Sequence, residues 1–379
     1  MIYLLAFFMN FSNGLFLLST PLVAIKEFQA SVLTLGLLGT AGAATYSLSC
    51  ACGGFWAERH GRARMMPLGC AFIILADCSI LWVDRTWHLF FIVAWASFGA
   101  GLFWPSLMKW MGEKGEHEGL GKRVGAFNIA WSAGIMLGPL VGGRLYTMDY
   151  RWPYLLGAVT VSCVLLVLLR LRHTLTMERT TPETPAAAKP DGDIRSFIYI
   201  AWAANFAIWF TIGATENLFP KLAVSLGISA GSLGNMMGLV GFGQMLMFLL
   251  LRHIKGWHFK FWPILLVQIG CAAGAAVFLT STSQLLFGIG FLIIGLTGGV
   301  TYFSSLFYSL YHHERRGVKS GLHESILAAG IGLGPIAGGV AATLWGLRAP
   351  YTVCLVLILL AVLLETAFFF STRQKNREA

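Results

Sequence analysis

The sequence predicts an all-α membrane protein, with twelve transmembrane helices in two pseudo-symmetric six-helix bundles. Three observations predict it. The chain is 56% hydrophobic and 12% charged, where soluble domains carry about 25% charged residues. Its apolar residues fall in runs of about 20, the length a helix needs to cross a hydrocarbon core of roughly 30 Å. One pattern is also written twice, 196 residues apart in a chain of 379: Gly125, Gly134, Gly138, Pro139, Gly142 and Gly143, then Gly321, Gly330, Gly334, Pro335, Gly338 and Gly339. Long apolar helices, rather than alternating strands of about ten residues, exclude an outer-membrane barrel.

The runs follow in order. Span one covers 2–23; with no basic region before it and no small-residue cleavage site after it, it reads as a retained helix and not a signal peptide. Spans two to six cover 32–53, 66–84, 88–111, 122–146 and 152–170. Pro105 predicts a kink in span four, and the Gly138-Pro139 step bends span five. A polar break at 171–196 holds Pro182, Pro185, Pro190 and charged residues; it cannot bury a core and reads as a cytoplasmic linker. Spans seven to twelve then cover 197–219, 230–251, 261–281, 284–310, 319–346 and 349–371. The expected organisation is a first bundle at 1–170, the linker, and a second bundle at 197–379. Local matches support the duplication. Ser106-Leu107 near the end of span four parallels Ser305-Leu306 near the end of span ten, and a charged loop follows each.

The net charge of +10 is topological. With both termini inside, 21 of the 27 lysines and arginines fall on the cytoplasmic side and 6 on the other, which fixes the orientation by the positive-inside rule. This placement speaks for a plasma (inner) membrane and against a nucleic-acid partner. The seven cysteines lie within or at the ends of spans and read as packing residues. Cys50-x-Cys52 lacks the spacing of a metal or redox pair, and no metal or cofactor is expected.

The loop after span two reads Gly54-Phe55-Trp56-Ala57-Glu58-Arg59-His60-Gly61-Arg62-Ala63-Arg64. It resembles the signature loop of the major facilitator superfamily, Gly-x-Leu-Ala-Asp-Arg-x-Gly-Arg-Lys/Arg. Gly54, Ala57, Arg59, Gly61 and Arg62 match, Arg64 adds a basic residue, and Glu58 stands for the usual Asp. The resemblance implies the six-plus-six fold of that superfamily. It also implies a cytoplasmic gate built from Gly54, Glu58, Arg59, Gly61, Arg62 and Arg64, whose acidic side chain can face a helix N-terminus and whose arginines can pair with carboxylates. The pattern in span five resembles the antiporter motif of the superfamily's drug–proton exporters. There it implies a smooth face between the two bundles, with all twelve repeated Gly and Pro residues as an inter-bundle motif. Span four departs from those exporters: where they carry Arg-x-x-Gln-Gly, this chain has Trp95-Ala96-Ser97-Phe98-Gly99.

Polar groups inside spans are costly and so are candidates for function. By the resemblance, spans one, four, seven and ten line a central cavity. The expected lining is Asn10, Asn13, Trp95, Trp104, Asn128, Asn205, Trp209, Tyr302 and Tyr308, an aromatic and neutral-polar set. No lysine or arginine falls at mid-depth, which disfavours anionic substrates that need a cationic clamp. The acids placed to carry protons are Glu216, Glu324 and, deepest, Asp77, although span three is expected to lie outside the cavity. Glu324 occupies the place of Asn128 in the first copy of the motif. The expected function is secondary active transport of a small neutral, amphipathic or cationic compound by a monomer in the lipid bilayer, as export and with proton exchange. An importer or lipid flippase of the same fold is the alternative. A membrane-embedded enzyme or sensor is disfavoured: there is no His-Glu-x-x-His, no Gly-x-Ser-x-Gly and no nucleotide-binding loop.

Overall fold

The structure is a computed structural model that describes residues 1–113, 120–171, 192–254, 256–311 and 316–378. Twelve α-helices make it up: α1 (Ile2–Lys26), α2 (Val32–His60), α3 (Arg62–Ser79), α4 (His88–Glu113), α5 (Leu120–Met148), α6 (Trp152–Arg170), α7 (Gly192–Ser225), α8 (Ala230–Leu251), α9 (Phe261–Thr280), α10 (Gln284–Tyr311), α11 (Arg316–Trp345) and α12 (Ala349–Glu378). Each is long and apolar enough to cross a membrane, and among the described residues there is no strand. The helix ends differ from the expected spans because helices run on past the apolar run. The helices α2 and α12 run furthest past a single expected end, and α7 starts at Gly192, inside the segment expected to be linker. Residues 172–191 lie outside the described residues.

The packing repeats. In the first half α1 packs on α5, α2 on α4 and α3 on α6; in the second, α7 packs on α11, α8 on α10 and α9 on α12. The halves meet through α5 with α8 and α2 with α11, with α1 and α7 touching at the centre. The expected pair of six-helix bundles is therefore the observed architecture.

The glycine pattern serves two interfaces, which corrects the expectation that all of it lies between the halves. Gly134, Gly138 and Gly142 face α1 in their own half: a Cβ on Gly134 would lie 2.5 Å from the Phe7 carbonyl oxygen, and one on Gly138 2.5 Å from that of Phe11. Their second copies, Gly330, Gly334 and Gly338, face α7 in the same way, with Phe206, Phe210 and Leu218 as neighbours. Residues four apart share a helix face, and the next residue is turned about 100° from it. Pro139 and Gly143 thus point to α8, where Gly143 abuts Gly231 and a Cβ on Gly234 would collide with the Pro139 carbonyl. Pro335 and Gly339 point to α2, where a Cβ on Gly36 would collide with the Pro335 carbonyl. At the starts of their copies the two differ: Gly321 is exposed with nothing within 4 Å of a Cβ there, whereas Gly125 is buried, with Arg252 Cδ at the end of α8 4.0 Å from its Cβ position.

These contacts bring the halves closest at one end of the molecule. Gly36, Pro335, Gly143 and Gly234 lie in the half of the helices away from residues 171 and 192; that end is the far end, and the other is the linker end. At the far end the Thr40 hydroxyl donates to the Gly332 carbonyl (2.7 Å), and the Lys221 ammonium donates to the Ala30 carbonyl (2.7 Å), both across the halves. Toward the linker end the Gly321 face of α11 meets open space, while Gly125 of α5 keeps only the Arg252 side chain of α8 beside it.

At the far end of the second half, the Arg348 guanidinium donates to the carbonyls of Phe278, Leu279 and Ser281 at 2.7–3.0 Å. It satisfies the C-terminal carbonyls of α9 and complements that helix's dipole. Arg348→Met is expected to cost about 2 kcal/mol and to lower the melting temperature of the purified protein in detergent. An unchanged melting curve would show that this clamp is dispensable.

Candidate functional site

The halves enclose a cavity of about 310 Å³, at the small end of the range for ligand sites. Nine helices line it: α1, α2, α3, α4, α5, α7, α8, α10 and α11. This is wider than the four expected from the resemblance. Asn10, Asn13, Trp104, Asn128, Trp209 and Tyr302 line it, and so do Asp77, Glu216 and Glu324. Asn13 is exposed to the cavity, whereas Asn10 spends its amide on the Trp131 carbonyl of α5 at 3.1 Å.

Three expected lining residues lie elsewhere. The cavity face of α4 carries Val93, Ala96, Ser97, Ala100 and Trp104. Trp95 is turned away from that helical stripe and is 37% exposed on the outside. Tyr308 is fully buried among Phe197, Trp257 and Phe259, and its hydroxyl accepts the Phe259 N–H at 2.9 Å. It lies six residues beyond Tyr302, on another face of α10. Asn205 is fully buried within the second half, where α7 is covered by α10, α11 and α12.

Sequence reasoning missed several members. Gln244 lines the cavity from α8, its amide oxygen buried without a hydrogen-bond partner in the described structure. It is the only side-chain amide in the apolar part of α8 after Asn235, and that isolation was the available signal. Asn217 faces Gly39 of α2 across the halves, and a Cβ on Gly39 would lie 2.5 Å from the amide oxygen. Tyr46, Phe127, Trp131 and Phe248 complete an aromatic lining with Phe16, Trp104, Trp209 and Tyr302. No lysine, arginine or histidine is among the lining residues. The lining is aromatic and neutral-polar as expected, and it carries three carboxyl groups besides.

The best-defined group sits at the second copy of the pattern. Trp209 and Phe248 pack edge-on against Tyr302, with ring centroids 6.2 and 5.8 Å away. Tyr302 packs against His323 at 5.1 Å. His323 is buried, with Nδ1 2.7 Å from the Ser305 hydroxyl. Its Nε2 lies 3.8 Å from the Glu324 carboxylate, beyond hydrogen-bond range, and that carboxylate is 43% exposed.

The residues expected to form a gate lie at the linker end. Gly61 holds φ +80 between α2 and α3, a backbone state that favours glycine. Arg62 is buried with its guanidinium 6.0 Å from the Trp110 ring of its own half. Arg59 and Arg64 are exposed. The surroundings of Gly54 and the side chain of Glu58 lie outside the described residues. No group of three or more His, Cys, Asp or Glu side chains suited to a metal occurs among the described residues.

With this geometry in place, the comparisons with known proteins are informative. The sequence model of the Major Facilitator Superfamily matches residues 2–313. An MFS-type transporter of Bacillus subtilis, YfkF, is 22% identical over 295 residues, covering 74% of this chain and 73% of that protein. Multidrug resistance protein 2 of the same organism is 23% identical over 202 residues, 52% of this chain and 50% of its own length. Among solved structures, a peptide transporter, POT, superposes with a TM-score of 0.78 over 97% of this chain and 94% of its own, at 15% identity. That likeness speaks for the fold alone.

Proposed function

We propose, for a chain that belongs to the Major Facilitator Superfamily, a secondary exporter that takes a small amphipathic or cationic organic compound from the cytoplasm and releases it on the other side in exchange for protons. By family and fold the chain is a multi-pass membrane transporter. The finer reading is carried by the cavity lining: eight aromatic side chains and the carboxyl groups of Glu216 and Glu324, without a lysine or arginine among the described lining residues. Aromatic faces and carboxylates both attract cations, and a multiply anionic substrate would find no partner there.

The direction is supported by the likeness of the α5 pattern to the antiporter motif and by the likeness to a multidrug resistance protein. The excess of basic residues in the loops supports a cytoplasmic linker end, and on that reading the conformation closed at the far end is the one that loads from inside. Residues 1–170 and 197–379 rock about the α2–α11 and α5–α8 contacts, tethered by the intervening segment, and one chain suffices. Arg59 and Arg64 then latch the linker end when it closes. The sequence has no nucleotide-binding loop, so a gradient supplies the energy.

Proteoliposomes test this, with ethidium as the cationic probe and uridine as a neutral one. Acid on the far side is expected to drive ethidium from the linker side to the far side. Ethidium flux indifferent to the pH gradient, or driven toward the acid-free side, would overturn proton-exchanged export. Preferential movement of uridine would overturn the cationic substrate class.

A further inference from the structure

We propose that Asp77 is the residue that binds and releases the coupling proton, in a pocket of the first half that admits nothing larger. The word "coupling" rests on the transport reading above; the proton site itself does not.

Asp77 lies on α3, a helix expected to stand outside the cavity, yet its carboxyl reaches the cavity lining while being only 2% exposed. On the opposite side it is pressed against α6. A Cβ built on Gly157 would lie 2.7 Å from Asp77 Oδ2 and 3.1 Å from the Ser12 hydroxyl of α1. Glycine at 157 is therefore what leaves room for the carboxyl between α1, α3 and α6. Oδ2 is buried and has no hydrogen-bond partner in the described structure.

A carboxylate out of water needs a counter-charge or several donors. Among the described residues, no cationic side chain lines the cavity. The titratable groups within electrostatic reach are the Tyr154 phenol of α6 and the adjacent Cys78 thiol. The cavity-lining residues of α1 and α4 are uncharged, α2 contributes only Tyr46, and the remaining acids, Glu216 and Glu324, stand on the other half. The site thus asks for a positive species and gives it almost no opening. An organic ammonium cannot reach a group so covered, but a proton can, passed from water in the cavity. The O–H bond that forms turns an unpartnered acceptor into a donor, and its return to water restores the carboxylate. Ser12 and Thr20, which line the same wall, offer hydroxyls along that path, and Thr20 is already joined to Tyr154 at 3.0 Å. Glu324, far more open, is left to meet the substrate.

Infrared difference spectra of the purified protein between acidic and alkaline pH read the site without a substrate. Among the protonated-carboxyl C=O bands of the wild type, one component is expected to be lost in Asp77→Asn and retained in Glu216→Gln and Glu324→Gln. Gly157→Ala, which keeps the acid but crowds it, is expected to shift that band. An unchanged spectrum in Asp77→Asn overturns the proposal. If that variant does not fold, an unshifted band in Gly157→Ala overturns it. In proteoliposomes Asp77→Asn is expected to lose at least about tenfold in pH-driven ethidium accumulation while exchanging ethidium without a gradient. Retained pH-driven accumulation overturns the coupling role. A wild type that shows the Asp77 band but moves no ethidium under any gradient supports the proton site and sinks the transport reading instead.

Discussion

Gly234→Leu is expected to abolish transport and to hold the protein with its far end parted, while Gly138→Leu is expected to destabilise the first half instead. The two glycines belong to different interfaces. Gly234 of α8 lies against the Pro139 carbonyl and the Gly143 backbone of α5, a contact between halves. Backbone atoms cannot turn aside as a side chain can, so a leucine there blocks the approach of the halves. Overpacking of this kind costs about 1–3 kcal/mol. Placed on only one of two exchanging conformations, it shifts their ratio by about 5–150-fold. Gly36→Leu is the pseudo-symmetric equivalent, because the Pro335 carbonyl stands over Gly36 as that of Pro139 stands over Gly234. Gly138, by contrast, packs on Phe11 and Gly14 of α1 inside one half, a contact present in every conformation. Pulsed-EPR distances between labels at Glu27 and Leu226, exposed on the two halves at the far end, check this. The distance should lengthen in Gly234→Leu and Gly36→Leu. Gly138→Leu should leave it unchanged and lower the melting temperature. Wild-type transport and distances in Gly234→Leu would show that this contact does not seal the far end.

That distinction also marks what the sequence makes legible. The twelve helices are visible because each apolar run meets the length the bilayer demands, and the two halves because the Gly-Pro pattern recurs with its internal spacing intact. Periodicity also separates Gly134, Gly138 and Gly142 from Pro139 and Gly143 as two faces of α5. It does not say which face meets α1 and which meets α8, since both partners offer glycines of their own at Gly14 and Gly234. The same limit applies to Trp95 and Trp104. Composition treats them alike, yet they differ by nine residues, or two and a half turns, which puts them on opposite sides of α4. Anchoring the helix on Ser97 would have excluded Trp95. Asp77 fell below the others because α3 is expected to be peripheral. What admits it to the cavity is a missing side chain on another helix, Gly157, and no local pattern around Asp77 carries that information. Gln244 was legible in principle as an isolated amide in an apolar helix.

The acid with the most to say about substrate is Glu324, and Glu324→Gln is expected to weaken ethidium binding about tenfold while leaving the affinity for an uncharged aromatic probe unchanged. Its carboxyl group lies at the edge of the Trp209–Tyr302–Phe248 cluster, beside the Tyr302 hydroxyl. His323, the nearest histidine, does not claim it: Nδ1 is engaged with Ser305, and Nε2 stays 3.8 Å away. A planar cation stacked on those rings would therefore find the carboxylate available at its edge. Two unit charges about 5 Å apart attract by about 3 kcal/mol at an effective dielectric of 20. Partial exposure of Glu324 reduces that toward about 1.4 kcal/mol, which is tenfold in affinity. The glutamine keeps the shape and the hydrogen-bonding capacity and removes only the charge, so a selective loss for the cation isolates the electrostatic part. Quenching of tryptophan fluorescence reads both affinities, since Trp104, Trp131 and Trp209 line the same cavity. Equal ethidium affinity in the wild type and Glu324→Gln would move the cation's counter-charge elsewhere on the lining. Glu216, the other acid of the second half, would then be the group to neutralise. A parallel loss for the neutral probe would mean that the residue shapes the cavity and does not act through its charge.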